Sequence, residues 1–342
     1  MTLEDGYRAI RERAAIGAVA PRVQIAVSGA DRAAYLQGLL TNDIQSLAPG
    51  TGCYSAWLSP QGRMLTDMHV LESGGMILLD VPAEVVDATV ARLEQFIFTE
   101  DVRVGSMAAS LTGVWLHGPQ SPSVLERVFQ GAHGLADWPE YRHAQFELPT
   151  SPKGYVGQAG DHPVSVARIG QLGVPGYCVY LERTFEQALV SALEGAGASR
   201  VPAEAIDAAR IDAGYPVFGL DMTDDTIPLE AGIEQRAISF TKGCYVGQEV
   251  IIRVLHRGHG RVARRLVGLS IDGPKPARGA KLYSGDREIG MVTSAAELPR
   301  VGTIALGYVH RDFVAPGTAV EAEMPAGRVG ARVSEREAPS AA

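Results

Sequence analysis

Cysteine, positive charge and long apolar runs are all scarce in this 342-residue chain, and each scarcity removes a class of function. The three cysteines, Cys53, Cys178 and Cys244, lie far apart and form no CxxC pair. A disulfide framework is therefore not expected, and neither is a structural zinc site. Lysine and arginine number 31 against 39 acids, a formal net charge of −8. Gripping nucleic acid needs clustered cations to neutralise phosphates, so no direct nucleic-acid partner is expected. No uninterrupted apolar run approaches the ~20 residues of a membrane span, so no membrane partner is expected. The first residues, MTLEDGYRAIRERAA, mix acids with arginines and hold no apolar stretch, unlike a secretory signal. The expected location is the cytoplasm.

What is present suits a packed globular chain, with 46% apolar and 20% charged residues. The length exceeds what one core usually serves, so two or three domains are expected. Arg22 to Val27 alternates like a short strand. Asp31 can cap a helix that shows Leu36, Leu39 and Leu40 on one face. Runs at Cys53 to Leu58, Met64 to Leu71 and Met76 to Val81 read as strands, joined by Pro60-Gln61-Gly62 and Ser73-Gly74-Gly75 turns. Pro82 opens a helix with Val86, Val90, Leu93 and Ile97 along one side. A Gly/Pro/His-rich loop runs from about 131 to 160, followed by strands at 164–169 and 177–181 and helices at 185–194 and 203–213. After Arg261, short strand-like runs alternate with Gly/Pro turns, which argues for a separate small all-β barrel or sandwich.

The segment Phe240 to Val250, FTKGCYVGQEV, gathers the most chemistry. Cys244 sits between Gly243 and Tyr245, with Lys242 behind it and Gly247 ahead. The glycines let the backbone bend sharply and approach another molecule closely. Residues 248–255 can form a helix, which puts the thiol near a helix N-terminus where that partial charge and Lys242 favour the thiolate. Equally, a free cysteine at a tight turn often serves as a small buried filler. Arg253, Arg257 and Arg261 recur at every fourth position, as an edge for an anionic partner or simply a solvated face. Asp67 lies mid-strand with His69 on the same face. A buried aspartate there needs a partner or a cleft, whereas an exposed strand face needs no explanation. Arg210, after Asp207, fits an intrahelical ion pair. Glu230, within Ile227 to Ile233, reads as a helix-start acid.

Together these segments resemble the glycine-cleavage T-protein (aminomethyltransferase) superfamily, over nearly the whole chain from about Val23. The string Lys242, Gly243, Cys244, Tyr245, Val246, Gly247, Gln248, Glu249 is similar to the hallmark of its YgfZ group, tetrahydrofolate-binding factors for iron–sulfur cluster assembly. PQGRMLTD at Pro60 to Asp67, RIGQLGVPGY at Arg168 to Tyr177, and YPVFGLD with IPLEAGI at Tyr215 to Ile233 are similar to the superfamily at large. The resemblance implies an α+β, three-lobed fold of antiparallel sheets plus helices with a small C-terminal β-barrel. The implied lobes are a central folate-binding one (1–48 with 147–255), an inserted one (49–146) and the barrel (260–335). Folate would occupy a central channel. Asp67 matches an acid near the folate N5/N10 region, Arg210 an arginine near the headgroup and Phe218 an aromatic packing the pteridine. Tyr177 and Glu230 join them as implied cofactor contacts.

Gly173-Val174-Pro175-Gly176 stands where T-proteins carry Gly-Glu-Asp-Gly, whose glutamate grips the pterin. That departure counts against aminomethyl transfer more than against folate binding. The resemblance thus implies a tetrahydrofolate-binding accessory protein for assembly or maintenance of iron–sulfur clusters in client enzymes, tRNA-modifying ones among them. Cys244 would then be the reactive thiol or make transient contact with a cluster, and the partners would be folate with iron–sulfur clients or assembly machinery. The alternative is a folate-dependent aminomethyltransferase or demethylase with Asp67 as catalytic acid/base. A third is a non-catalytic scaffold that docks a client. Whether the chain is an enzyme stays open between them.

Overall fold

A computed structural model describes residues 1–148, 162–256, 260–298 and 301–334. Within the alternating runs, period-two patterning gives each strand two apolar faces, and the chain uses both. One sheet has five strands: β2 (Arg22–Ser28), β3 (Thr51–Leu58), β4 (Met64–Glu72), β5 (Met76–Pro82) and β6 (Arg103–Ser106), ordered β3-β4-β5-β2-β6 and antiparallel throughout. The other has six: β1 (Ala15–Ile16), β7 (Leu111–His117), β8 (His143–Glu147), β9 (Pro163–Arg168), β10 (Gly176–Glu182) and β11 (Ser199–Arg200). Its order is β11-β1-β7-β10-β9-β8, antiparallel except for the parallel pair of β1 and β11.

The two sheets lie face to face, and helices cover their outer sides. On β5, Ile77, Leu79 and Val81 point outward to Tyr35, Leu36 and Leu39 of α2 (Arg32–Leu39) and Leu93 of α3 (Val86–Glu94). On β10, Tyr177, Val179 and Leu181 point outward to α4 (Ser121–Val128) and α5 (Glu186–Gly195). The alternate residues, among them Tyr54, Ala56 and Leu78 on one sheet and Trp115, Cys178 and Tyr180 on the other, share a core between the sheets. Truncating a fully buried residue such as Leu36 to alanine costs about 2–5 kcal/mol.

Six strands close into the expected barrel: β12 (Arg264–Ile271), β13 (Lys281–Ser284), β14 (Arg287–Leu298), β15 (Gly302–His310), β16 (Ala319–Met324) and β17 (Gly327–Ser334). Closure leaves no free sheet edge to pair with another chain. The barrel docks on α6 (Ala203–Asp212), where Ala208 and Ile211 meet Leu266, Leu306 and Tyr308. The α+β class, the antiparallel sheets and the C-terminal barrel are as the sequence implies. The sheets divide the chain differently from the lobe boundaries, however. Strand β2 pairs Arg22 with Pro82 through Ser28 with Met76, so it belongs with 51–106, while 111–117 and 143–147 join the opposite sheet. Long-range ladder bonds, which periodicity does not encode, decide that partition. Among the described residues no helix is long and apolar enough to cross a membrane.

Candidate functional site

The layer between the sheets is largely apolar and holds a connected polar centre. Strand alternation brings Arg22 and Gln24 of β2, Tyr54 of β3, Asp67 and His69 of β4 and Asp80 of β5 to the inward face. Asp67 is 2% exposed, so it is no ordinary strand-surface acid. It accepts a 2.6 Å hydrogen bond from the Tyr54 hydroxyl, and Arg22 Nη1 lies 3.3 Å from its other oxygen. Arg22 Nε lies 3.4 Å from Asp80, which accepts bonds from Tyr180 of the facing sheet at 2.8 Å and from Gln24 at 3.3 Å. His69 completes the centre: Nδ1 lies 3.2 Å from the Tyr141 hydroxyl and Nε2 3.2 Å from Gln171 Nε2.

Burial sets the charge state of this centre. It holds His69 well below the usual imidazole range, helped by the Arg22 and Arg236 cations, so the ring is neutral at pH 7. It also keeps Tyr54 and Tyr180 as phenols, an effect their aspartate partners reinforce. Asp80 is pushed up by burial against the pull of Arg22. The result is one cation, Arg22, clamped between two carboxylates and ringed by neutral donors. Sequence reading found Asp67 and His69 and missed the rest. The available signal was a polar residue on the inward face of an otherwise apolar strand, as with Asp80 in MILLDVP and Gln24 in RVQIAVS.

Three buried side-chain atoms here lack a hydrogen-bond partner: the acceptor Gln171 Oε1 and the donors Arg22 Nε, which still lies within ion-pair distance of Asp80, and Arg236 Nη2. Buried polar atoms are normally satisfied, so unmet ones mark a place for another group. With Tyr54, Trp115, Tyr141 and Tyr180 packed in the same core, the Gln171 acceptor suits a flat heterocycle carrying N–H donors, such as the pterin of folate. Gln171 offers an acceptor two residues from the Gly173–Gly176 segment that lacks the carboxylate.

Of the other expected cofactor contacts, Phe218 shares this core, whereas Tyr177, Arg210 and Glu230 are not gathered here. Tyr177 lies one position out of phase with Tyr180, so its ring enters the helix-side core and its hydroxyl donates to the Leu135 carbonyl. Arg210 is 1% exposed and committed to Asp221 at 2.8 Å, Asp207 at 2.7 Å and Ser294 at 2.8 Å. Asp221 also accepts from Thr293 and Ser294 of β14, so Arg210 belongs to a polar latch that holds the barrel. Glu230 pairs with Arg264 at the start of the barrel at 3.2 Å. Phe218 packs in the inter-sheet core and lines a cavity of about 350 Å³ with Trp57, Leu65, Val85 and Arg92, of which Arg92 belongs to α3.

The cysteine segment is braced on three sides. Lys242 donates from Nζ to the carbonyls of Gln37, Leu40 and Asn42 at 2.6, 2.7 and 2.8 Å, tying the segment to the C-terminal end of α2. Burial draws its ammonium down to about 8. Lys242 is thus a staple, where the sequence suggested a thiolate stabiliser. Tyr245 is buried beneath the Lys242 ammonium, 5.3 Å from its ring centre. Gly247 has φ +85°, and a Cβ there would come within 2.4 Å of the Ser59 carbonyl, so it fits closely against the β3–β4 turn. Gln248 and Glu249 open α9 (Gln248–His256), and Gly243 and Cys244 are exposed. A buried filler is therefore the wrong account of Cys244. Cys53 and Cys178, by contrast, have thiols raised by burial, Cys53 to about 12. Arg253 and Arg261 are exposed, and Arg257 lies outside the described residues. Among the described residues no group of three or more His, Cys, Asp or Glu side chains could hold a metal ion.

Residues 2–242 match the GCVT N-terminal domain and residues 264–338 the glycine cleavage T-protein C-terminal barrel domain. Cys244 falls between the two matches. An aminomethyltransferase of Streptomyces coelicolor is 30% identical over 92% of this chain and 83% of its own length. One from Prochlorococcus marinus is 25% identical over 94% and 86%. The crystal structure of the glycine cleavage system aminomethyltransferase T from Bartonella henselae superposes with TM-score 0.83 at 24% identity, over 98% of this chain and 89% of that one, and shows the same fold.

Proposed function

The chain belongs to the glycine-cleavage T-protein family, and from that premise we propose that it binds tetrahydrofolate between its two sheets and handles a folate-borne one-carbon unit at Asp67. Bound there, the folate supplies the amine nitrogens that carry one-carbon groups. Asp67 supports this reading most directly: a buried carboxylate, oriented by Tyr54 and Arg22, in a layer whose Gln171 oxygen lacks a donor. Its role is to hold or accept a proton beside the reacting nitrogen, within the 10²–10⁴-fold range of general acid–base catalysis. His69, neutral, accepts or donates one hydrogen bond without adding charge. The test is ammonia or formaldehyde release from a panel of small amines, with and without tetrahydrofolate. Folate-dependent turnover lost in Asp67→Asn is expected. No binding heat at millimolar tetrahydrofolate, with no turnover, would sink the reading.

A second reading has its own observation. Of three cysteines, Cys244 alone is exposed, on a segment stapled through Lys242 and Gly247. That supports the YgfZ-type role, in which folate binding serves iron–sulfur assembly and Cys244 meets the client or its cluster. Other ligands would come from the client, and Arg253 and Arg261 would form an anionic-partner edge. Complementation of a deletion strain, scored on iron–sulfur enzyme activity, separates the readings. Full rescue by Cys244→Ala removes the cysteine from the mechanism.

A further inference from the structure

Arg22 and Arg236 are both guanidinium groups in the inter-sheet layer, but their surroundings differ. Arg22 has two carboxylates, Asp67 and Asp80, within ion-pair distance. Arg236 lies between two buried aromatic faces, 4.3 Å from the ring centre of Tyr54 and 4.5 Å from that of Tyr215. Among the described residues no carboxylate is paired with it, and its Nη2 is shut off from solvent without a hydrogen-bond partner. Glu140 feels its field, yet that carboxylate accepts from the Gly170 amide at 2.9 Å and sits 3.7 Å from Arg168. A cation drawn out of water without a carboxylate counter-charge is costly, and two cation–π contacts with a hydrogen bond to Tyr215 offset only part of that cost. Retaining it makes sense where a ligand brings the missing charge.

We propose that Arg236 binds the carboxylate of the protein's ligand and selects for carboxylate-bearing molecules. Tyr54 and Tyr215 fix the plane of the guanidinium, so Nη2 is presented in one orientation. Two sources offer this chemistry: the glutamyl end of a folate, or the carboxylate of a small amino-acid substrate. The first rests on the folate reading above, and the second stands without it.

Calorimetric titration of the full chain separates them, using wild type, Arg236→Met and Arg236→Lys. The ligands are tetrahydrofolate, a tetrahydropterin lacking the aminobenzoyl-glutamate, and N-methylglycine. A hydrogen bond to a charged group lost on Arg236→Met is expected to weaken the relevant carboxylate roughly tenfold to a hundredfold. The tetrahydropterin should hold within about twofold, and Arg236→Lys should recover part of the loss because it keeps charge but not the fork. Weakening confined to tetrahydrofolate assigns the glutamyl carboxylate, and weakening of N-methylglycine assigns the substrate. Wild-type protein that ignores folate and pterin but binds N-methylglycine through Arg236 would refute the folate reading and uphold this one. Equal affinities in wild type and Arg236→Met overturn the proposal. So does parallel loss of the tetrahydropterin, or wild type binding neither carboxylate.

Discussion

The Asp67 centre and the Cys244 segment place their reactive groups in opposite settings. Around Asp67 the backbone is regular strand and the functional groups are buried, hydrogen-bonded and held in chosen charge states. Around Cys244 the regularity is gone. Lys242, Tyr245 and Gly247 are spent on anchoring, and the thiol is what remains exposed. The first setting suits chemistry on a small enclosed molecule, and the second suits contact with something large. Each region can therefore be damaged without the other if the division is real.

The largest separation should come from activity. Asp67→Asn is expected to reduce folate-dependent turnover about 10²–10⁴-fold, while Cys244→Ala leaves it unchanged. An equal drop in both variants would mean that the two regions form one site. Acid should come next. His69 and His117 are both kept neutral by burial, His117 down to about 4. Because the unfolded chain takes up these protons first, the stability they contribute is present above about pH 6.5 and is lost as pH falls toward 4. For His117 alone that amounts to about 3 kcal/mol. Urea melts at stepped pH should show this slope flattened in His117→Phe and intact in Cys244→Ala. Gly247→Ala should cost about 1–3 kcal/mol through its positive φ and the Ser59 carbonyl. It should also raise the alkylation rate of Cys244 as the segment loosens. Smallest of all, Cys244→Ala should change stability by less than about 0.5 kcal/mol. Native alkylation followed by mass spectrometry should label Cys244 and spare Cys53 and Cys178.

How much of this could be read from the chain differs between regions for physical reasons. The barrel was legible because Gly/Pro turns mark the ends of its short strands and three of its six ladders, β13–β14, β14–β15 and β16–β17, join sequence neighbours. The strand bearing Asp67 was legible because it pairs on both sides with its sequence neighbours, β3 and β5. The rest of the Asp67 centre was not, since Arg22, Tyr54, Asp80 and Tyr180 come from four separate strands, brought together by sheet pairing and by the packing of one sheet on the other. Tyr177 shows how narrow the margin is: strand parity alone sends it to the helix side and Tyr180 to the centre. For Arg210 the residues alone suggested the intrahelical pair with Asp207, which forms, and the resemblance implied a headgroup contact; only the barrel's position reveals that Asp221 and Ser294 also engage it.

Strand β1 carries a consequence for synthesis on the ribosome. Ala15 and Ile16 sit between β7 and β11, pairing with residues 116–117 on one side and 199–200 on the other. At roughly 5–20 residues per second, the second partner emerges on the order of ten to forty seconds after the first residues. For that interval the nascent chain holds an unpaired strand beside a half-built sheet, and slow long-range pairing of this kind invites capture by other chains. A chaperone that shields the amino-terminal region until residue 200 has emerged would raise the yield of folded protein, and a pause in translation before that point would lower it.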